Sequence, residues 1–223
     1  MVALDEYTSP EFGRCALVTI DVQRDVLDGG SLEVPGTTAV LPRLAALARG
    51  FRTARRPVVH MVRLYQAGGE DVDLSRRARV RSGRPTLLAG SPGAELATGL
   101  LERGMDGLDS ARLLEGLPQQ LGPDEVVIFK PRWGAFFRTP LAEHLEMLGV
   151  STLVFGGANF PNCPRTSIYE ASERDYRLVV ATDAVSGLYE RGSTELEGVG
   201  VALMSSDEIV AALSSGTEAA SLA

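Results

Sequence analysis

Short, continuous apolar runs recur along the chain and predict buried strands. They are CALVTI (15–20), PVVHMV (57–62), EVVIF (125–129), STLVF (151–155), YRLVVA (176–181) and VGVALM (199–204). The apolar residues are consecutive and do not alternate with polar ones. This pattern is typical of strands that are covered on both faces of a parallel sheet. The runs therefore predict six buried strands.

Helical patterns separate most of these runs. The candidate helices are 38–53, 95–103, 139–148, 165–174 and 207–213. Thr139 followed by Pro140 predicts an N-cap and a first-turn proline, and Gly149 stands where a C-cap glycine is expected. Strands and helices that alternate in this way predict an α/β fold, with a doubly wound, mostly parallel six-stranded sheet and helices on both faces.

One long segment, 64–124, fits this alternation poorly. It contains a run of arginines at positions 76, 77, 79, 81 and 84. Such charge runs usually lie on a solvated face, and the alternative is a lid or an oligomer contact over an active site. We therefore predict an N-terminal extension (1–14), one domain (15–213) with this segment as an insertion or lid, and a flexible tail (214–223).

Composition and charge narrow the classes of partner. The chain has 223 residues, of which 44% are apolar, and its 22 basic and 29 acidic residues give a net charge of −7. A chain of this charge repels phosphate groups, so we expect neither nucleic acid nor a membrane as a partner. Two cysteines make no disulfide framework, and neither a signal peptide nor a membrane span is visible. We expect a cytoplasmic protein that binds a small molecule.

Three reactive side chains follow predicted strands that are far apart in sequence. Asp21 follows the first run and Lys130 the third, and Cys163 opens the helix after the fourth. In open α/β sheets the ligand binds beyond the carboxyl ends of the strands. A helix N-terminus and a nearby lysine favour a thiolate, and Asp21 can exchange a proton with the thiol. The backbone N–H groups around residues 159–163 can then stabilise an oxyanion.

Each candidate also has a structural interpretation. A lone cysteine is often a small buried hydrophobe, and we interpret Cys15 in this way. Asp183 can be an N-cap or loop residue, and Lys130 alone can be a surface lysine. His60 and His144 are interpreted as a core-edge and a helix-surface residue. Whether Asp183 or His60 contributes to the site is left open.

The motifs around the three reactive residues resemble those of the isochorismatase-like cysteine hydrolases, which include nicotinamidases, N-carbamoylsarcosine amidases and ureidoacrylate amidases. The motifs are DVQ (21–23), KPRWGAF (130–136), GGANFPNCPRTS (156–167) and EASERDYRLVVATDA (170–184). The resemblance implies a catalytic triad of Asp21, Lys130 and Cys163, and a cis peptide at Ala158–Asn159. It further implies an oxyanion site at the amides of Asn159 and Cys163, and a homo-oligomer, either a dimer or a tetramer.

Two departures from the family pattern bear on substrate and metal. Nicotinamidases usually hold a metal through an Asp-x-His and a further His after the second strand, but VVHMVRLYQAGGEDVD (58–73) has no second His. We therefore expect no metal, no other cofactor and no nicotinamide. The sequence FPN (160–162) replaces the usual small residues and is expected to reshape the rim. The chain is also similar to a subgroup that includes streptothricin hydrolase, a lactam-opening enzyme.

Together these features predict a cysteine-dependent hydrolase of an amide, lactam or ureido bond that acts through a thioester. The candidate substrate contacts are Arg63, Trp133, Phe136, Phe137 and Tyr189, with core packing as the alternative for each aromatic residue. An isochorismatase-type vinyl-ether hydrolase is a second possibility, although family members of that kind generally lack the cysteine. The third is a catalytically inactive scaffold of the same fold.

Overall fold

A seven-stranded sheet forms the centre of the molecule. The computed structural model describes residues 4–84, 86–101 and 107–221. The strands are β1 (Cys15–Ile20), β2 (Val58–Val62), β3 (Gln119–Gly122), β4 (Glu125–Phe129), β5 (Thr152–Gly157), β6 (Arg177–Val185) and β7 (Ala202–Met204). Their order is β3-β4-β2-β1-β5-β6-β7, and all neighbours are parallel except the pair β3 and β4. The predicted mostly parallel α/β sheet is confirmed, with seven strands where six were expected.

Helices cover both faces of this sheet. They are α1 (Thr37–Thr53), α2 (Leu74–Arg81), α3 (Ser110–Leu114), α4 (Leu141–Met147), α5 (Cys163–Ser172), α6 (Glu190–Glu197) and α7 (Ser206–Ser221). Residues of α1 and α7 share one hydrophobic cluster, and residues of α4, α5 and α6 share the other. Within the described ranges, no helix is long and apolar enough to cross a membrane.

The two clusters explain why the strand sequences are continuously apolar. All six residues of β1 are buried, with Leu17 in one cluster and Val18 in the other. Successive side chains of a strand point to opposite faces, so a strand with a helical layer on each side needs apolar residues at every position. The hydrophobic runs therefore marked the parallel strands reliably.

Several elements of the structure were not predicted from the sequence. In α2, only Val80 is buried, so this helix lacks the apolar stripe on which prediction depends. Strand β3 is a short, partly exposed edge strand, and α3 and α6 were also not predicted. The predicted tail 214–223 overlaps α7, which continues to Ser221.

The helix predicted at 95–103 is wrong over its described part, 95–101; residues 102 and 103 lie outside the described ranges. A 3-10 turn (Pro92–Ala94) precedes an irregular stretch there. The carbonyl of Glu95 accepts from Arg24 N, and Ala97 N donates to the carbonyl of Val22. These bonds tie the stretch to the chain that follows β1, and they replace the local bonds of a helix.

The strand order brings the predicted reactive residues to one edge. The chain first adds β2 and β4 on one side of β1, and later adds β5 on its other side. This reversal at β1 creates a crevice at the carboxyl ends of the strands, which is where ligands bind in such sheets. The residues that immediately follow β1, β2, β4 and β5 line this crevice.

Candidate active site

A buried ion pair lies at the carboxyl edge of the sheet. Lys130 Nζ donates to Asp21 Oδ2 at 2.9 Å and to the carbonyl of Arg132 at 3.3 Å. The lysine is fully buried, and Asp21 is 7% exposed. Asp21 has a φ of 53°, in the left-handed region that non-glycine residues rarely occupy. Because an unpaired charge is costly in the interior, each of these two groups depends on the other.

Cys163 faces the same crevice from the other side of β1. It is the first residue of α5, and its side chain lines one cavity together with Asp21. Oδ1 of Asp21 is buried and has no hydrogen-bond partner among the described residues. Asp21 therefore retains one free acceptor oxygen for the proton of the thiol.

The electrostatics favour a neutral thiol beside a carboxylate. Burial and the charge of Asp21 raise the pKa of the Cys163 thiol, although Lys130 and Arg63 oppose the change. Burial disfavours the ionised form of Asp21 as well, but Lys130 and Arg63 outweigh it and lower the pKa of that carboxyl. The helix N-terminus and Lys130 were expected to favour a thiolate. Burial and the charge of Asp21 nevertheless outweigh the nearby cations and raise the pKa of the thiol.

Two free backbone donors lie at the turn before Cys163. The N–H groups of Asn159 and Cys163 have no backbone acceptor in the described chain, whereas Phe160 N donates to the carbonyl of Ser186 at 2.7 Å. Both residues line the cavity. Free N–H donors beside a nucleophile are the groups that stabilise an oxyanion. The expected pair of amides is thus present.

The cis peptide predicted at Ala158–Asn159 is wrong, because no cis peptide occurs in the described chain. Neither residue is proline, and for such a pair the trans form is the lower-energy one. The turn is held by other bonds. Ala158 N donates to the carbonyl of Ile20, and Asn162 Nδ2 donates to Asn159 Oδ1 at 2.9 Å.

A buried arginine completes the inner wall of the cavity. Arg63, predicted as a substrate contact, follows β2, and its Nη2 lies 3.9 Å from Cys163 Sγ. Its Nη1 donates to Asp73 Oδ2 at 2.8 Å, and the same oxygen accepts from the Tyr65 hydroxyl at 2.7 Å. The side-chain amide of Gln23 also binds the backbone of Arg63. The charge of Arg63 is therefore matched by Asp73.

The cavity itself is small and closed. Its volume is about 20 Å³, enough for roughly one water molecule. It is lined by Asp21, Val26, Leu32, Val34, Arg63, Arg76, Leu87, Ala158, Asn159, Asn162 and Cys163. A larger cavity of about 430 Å³ lies near Arg52 and Asp124. That cavity holds no nucleophile, so the chemistry belongs to the smaller one.

The four aromatic residues proposed as substrate contacts lie outside the cavity lining. Phe136 is buried and packs against Tyr176, with ring centroids 6.0 Å apart. Phe137 is 47% exposed and Tyr189 is 39% exposed. Trp133 is partly buried beneath the guanidinium of Arg76. The motif KPRWGAF contains two of them, Trp133 and Phe136, and neither lines the cavity, so nearness to Lys130 in sequence did not mean nearness to the thiol.

Three further candidates have structural roles. The ring of His60 is buried between Thr19 Oγ1 and Glu125 Oε1, each 2.7 Å away. Asp183 accepts from the backbone and hydroxyl of Ser206 at the start of α7. Cys15 is buried in β1, and burial raises its pKa to about 12. None of the three lines the cavity around Cys163.

The residues after β2 do not fit a metal site. A cation there would meet the guanidinium of Arg63, and Asp73 already accepts bonds from Arg63 and Tyr65. His60 faces away, toward Glu125. In the portion of the chain that the structure describes, no cluster of three or more histidine, cysteine, aspartate or glutamate residues could hold a metal ion.

Several cavity residues were not predicted from the sequence. Arg76 belongs to the arginine run, and Leu87 comes from the same insertion. The only signal for Arg76 was the lid interpretation of segment 64–124, which does not single out one arginine among five. Val26 and Leu32 lie in the loop after β1, where no periodic pattern marks them.

Comparisons with known proteins agree with this geometry. A family model described as the isochorismatase domain matches residues 15–197. The ureidoacrylate amidohydrolase RutB of Methylobacterium radiotolerans is 30% identical over 202 residues, which cover 82% of this chain and 69% of that protein. A protein of Arabidopsis thaliana, named a "probable inactive nicotinamidase", is 29% identical over 83% of this chain and 89% of its own.

A solved structure extends the likeness to three dimensions. The crystal structure of an isochorismatase family protein from Desulfovibrio vulgaris matches with a TM-score of 0.76 and 30% identity. The match covers 90% of this chain and 98% of that one. The overall fold is therefore shared with that protein.

Proposed function

Because the chain belongs to the isochorismatase family, we propose that it is a cysteine-dependent hydrolase of an amide, lactam or ureido C–N bond in a small molecule. The relatives include a ureidoacrylate amidohydrolase, which supports hydrolysis of a non-peptide C–N bond. The observation that carries the proposal is that Asp21, which is ion-paired with the buried Lys130, lines the same cavity as Cys163.

The first half of the reaction forms a thioester. Asp21 takes the proton of Cys163 as the sulfur attacks the carbonyl carbon of the substrate. The N–H groups of Asn159 and Cys163 donate to the resulting oxyanion. Asp21 then returns the proton to the leaving nitrogen, the C–N bond breaks, and the amine or ammonia departs. The acyl group stays on the sulfur.

The second half releases the acid and restores the thiol. Asp21 takes a proton from a water molecule, whose oxygen attacks the thioester carbon at the same oxyanion site. The C–S bond breaks, and Asp21 returns the proton to the sulfur. Lys130 keeps Asp21 ionised at the start of each half of the reaction, because its charge offsets the burial of the carboxylate. The neutral resting thiol fits this scheme, since each half begins with Asp21 as the base.

A panel of small amides, lactams and ureides, assayed for release of ammonia or amine, tests the proposal. We expect Cys163→Ser to lower turnover by on the order of a thousandfold or more, because removal of a nucleophile leaves only binding and the oxyanion donors. Cys15→Ser is the matched control, since that cysteine lies away from the cavity. Near-native turnover in the Cys163→Ser variant would refute the mechanism.

The vinyl-ether alternative is separated by alkylation of the thiol. Hydrolysis of a vinyl ether needs protonation of the substrate by Asp21 and no nucleophilic sulfur. Treatment with iodoacetamide should therefore abolish the proposed amidase activity and leave a vinyl-ether hydrolase largely active. Mass mapping of the modified peptide shows whether Cys163, and not Cys15, carries the label.

One observation favours an inactive scaffold, namely the relative whose printed name includes "inactive". In this chain, however, Lys130 binds Asp21, and Asp21 and Cys163 line the same cavity. Burial of a charge pair beside a thiol costs free energy of folding, and an inactive scaffold would not need that pair for catalysis. Absence of turnover across the panel, together with a Cys163 that iodoacetamide cannot label, would support the scaffold.

A further inference from the structure

The charged groups around the cavity form pairs, with one exception. Asp21 binds Lys130, and Arg63 binds Asp73. Arg76 also lines the cavity, and its side chain is hydrogen-bonded to Tyr65, but among the described residues it forms no salt bridge with a carboxylate. An arginine does not lose its proton in a protein, so Arg76 presents a full positive charge that no ion pair cancels.

The guanidinium of Arg76 is held by an aromatic ring. It lies over Trp133, 5.7 Å from the ring centroid. A guanidinium has five N–H donors, so the bond to Tyr65 and the stacking on the indole leave other donors at the edge of the plane for a ligand. Trp133, predicted as a substrate contact, therefore positions Arg76.

The other arginines of α2 have different partners. Arg77 Nη2 donates to the carbonyl of Val72 at 3.0 Å, and Arg79 Nε donates to Thr86 Oγ1 at 3.1 Å. Arg81, at the end of the helix, is exposed. Among the arginines of α2, only Arg76 lines the cavity that contains Cys163.

We propose that Arg76 is an anion subsite beside Cys163, and that the substrate is a short amide or ureide bearing a carboxylate. The proposal rests on the proposed function and specifies its substrate class. A planar guanidinium can bind a carboxylate through two parallel hydrogen bonds, and a water-poor pocket strengthens them. The apolar wall of Val26, Leu32, Val34 and Leu87 would contact the carbon chain.

Two alkylating reagents test the subsite without knowledge of the substrate. Iodoacetate and iodoacetamide both transfer a short group to the Cys163 sulfur, with formation of a C–S bond and release of iodide, but only iodoacetate carries a carboxylate. The ratio of their rates at Cys163 therefore reports the preference of the cavity for an anion. Peptide mass mapping restricts the measurement to Cys163.

Three variants make the test specific. We expect Arg76→Gln to lower the iodoacetate-to-iodoacetamide ratio about tenfold or more, because a charge-assisted hydrogen bond pair is lost. Arg81→Gln removes the same charge from the same helix outside the cavity, so it should leave the ratio close to that of the wild type. Arg76→Lys keeps a charge without the planar fork and should give an intermediate ratio.

The outcomes separate the possible explanations. An unchanged ratio in Arg76→Gln would overturn the subsite, and so would an equal loss in Arg81→Gln, which would indicate a long-range field. The rate with iodoacetamide serves as the folding control, because a misfolded cavity would change both reagents together. A ratio that shifts only through an altered iodoacetamide rate would likewise overturn the proposal.

Turnover of maleamate and of maleamide is measured in parallel. Maleamate carries a carboxylate at the end where maleamide carries a second amide. We expect Arg76→Gln to raise the KM for maleamate and to leave the KM for maleamide unchanged. If no amide is cleaved but the alkylation ratio depends on Arg76, the proposed function fails and the subsite stands. If amides are cleaved and Arg76→Gln leaves the alkylation ratio unchanged, the subsite fails and the proposed function stands.

Discussion

At the scale of single residues, the chemistry depends on whether Asp21 or Cys163 holds the proton that the two groups exchange. The pKa of the carboxyl is lowered and that of the thiol is raised, so the two groups keep a charge on oxygen and a proton on sulfur. The charge of Asp21 opposes a second negative charge on the neighbouring thiol. Asp21 and Lys130 therefore control the reactivity of the sulfur in opposite directions.

Replacement of Asp21 by Asn separates thiol reactivity from turnover. The charge of Asp21 raises the pKa of Cys163, so its removal should lower that pKa, while Lys130 and Arg63 still favour the thiolate. Alkylation by iodoacetamide as a function of pH should therefore reach half its maximal rate at a lower pH than in the wild type. Amide turnover should nevertheless fall by at least about a hundredfold, because the base is gone.

The wild type and Cys163→Ser are the controls for this measurement. A titration midpoint that is unchanged or higher in Asp21→Asn would show that Asp21 does not act on the thiol. Turnover that survives the substitution would show that another group carries the proton.

Replacement of Lys130 by Met should move the acid limb of activity. Lys130 lowers the pKa of Asp21, and burial opposes it, so loss of the lysine should raise that pKa. Since catalysis needs the carboxylate, kcat/KM should begin to fall at a higher pH as the solution is acidified. The measurement is a kcat/KM profile from about pH 3 to 7 on the best amide of the panel. Coincident acid limbs in the two proteins would contradict this role of Lys130.

At the scale of elements, a buried charge network joins three strands to a helix on one face of the sheet. Glu125, at the start of β4, accepts from Arg52 of α1 through both oxygens at 2.7 Å. His60 of β2 lies 2.7 Å from Glu125 and 2.7 Å from Thr19 of β1. Burial opposes the charge of Glu125, but Arg52 and His60 lower its pKa to about 2. This network fixes the position of α1 against the strands that carry the site.

The Glu125→Gln variant should lose stability in a pH-dependent way. The carboxyl has a pKa of about 2 in the folded protein and an ordinary value of 4.5, so its stabilisation is complete above pH 4.5 and disappears as the pH falls toward 2. Urea unfolding at pH 7 should show a loss on the order of 3 kcal/mol, because the buried Glu125–Arg52 ion pair is lost. At pH 3 the difference between wild type and variant should be smaller.

The exposed Glu115 provides a control, since Glu115→Gln should change stability little at either pH. A constant difference between wild type and Glu125→Gln from pH 7 to pH 3 would contradict the network as described.

At the scale of the whole molecule, the association state is open to a direct test. We propose a dimer or tetramer, as the family likeness implied. Several large apolar side chains are exposed in the single chain, among them Leu74 (80%), Met147 (78%) and Tyr7 (76%). Burial of such residues between copies would remove apolar surface from water.

Light scattering after size-exclusion chromatography should give a mass near two or four times 23.7 kDa. The measurement belongs at about pH 7.5, where the net charge of −7 suppresses the non-specific association expected near the pI of about 5.0. A mass of one chain at micromolar concentration would contradict the proposed oligomer.

The sequence by itself determined the parallel sheet and the identity of the reactive trio. Strands buried on both faces require consecutive apolar residues, so the runs before Asp21, Lys130 and Cys163 were visible without coordinates. Because parallel strands present their carboxyl ends at one edge of the sheet, the strand assignment also predicts that the three residues lie near that edge. Arg63 could be named because it follows β2, whereas the amides of Asn159 and Cys163 were named from the family resemblance.

Only the tertiary structure decided the state of the thiol and the lining of the cavity. The direction of the Cys163 pKa depends on the balance between burial and three nearby charges, and that balance is a matter of distances. Arg76 enters the site through α2, a helix with a single buried residue and hence no apolar period that would orient it in advance. Trp133, Phe136, Phe137 and Tyr189 lie outside the cavity lining, because side-chain direction depends on packing partners that are remote in sequence. Their contact with a substrate stays a prediction.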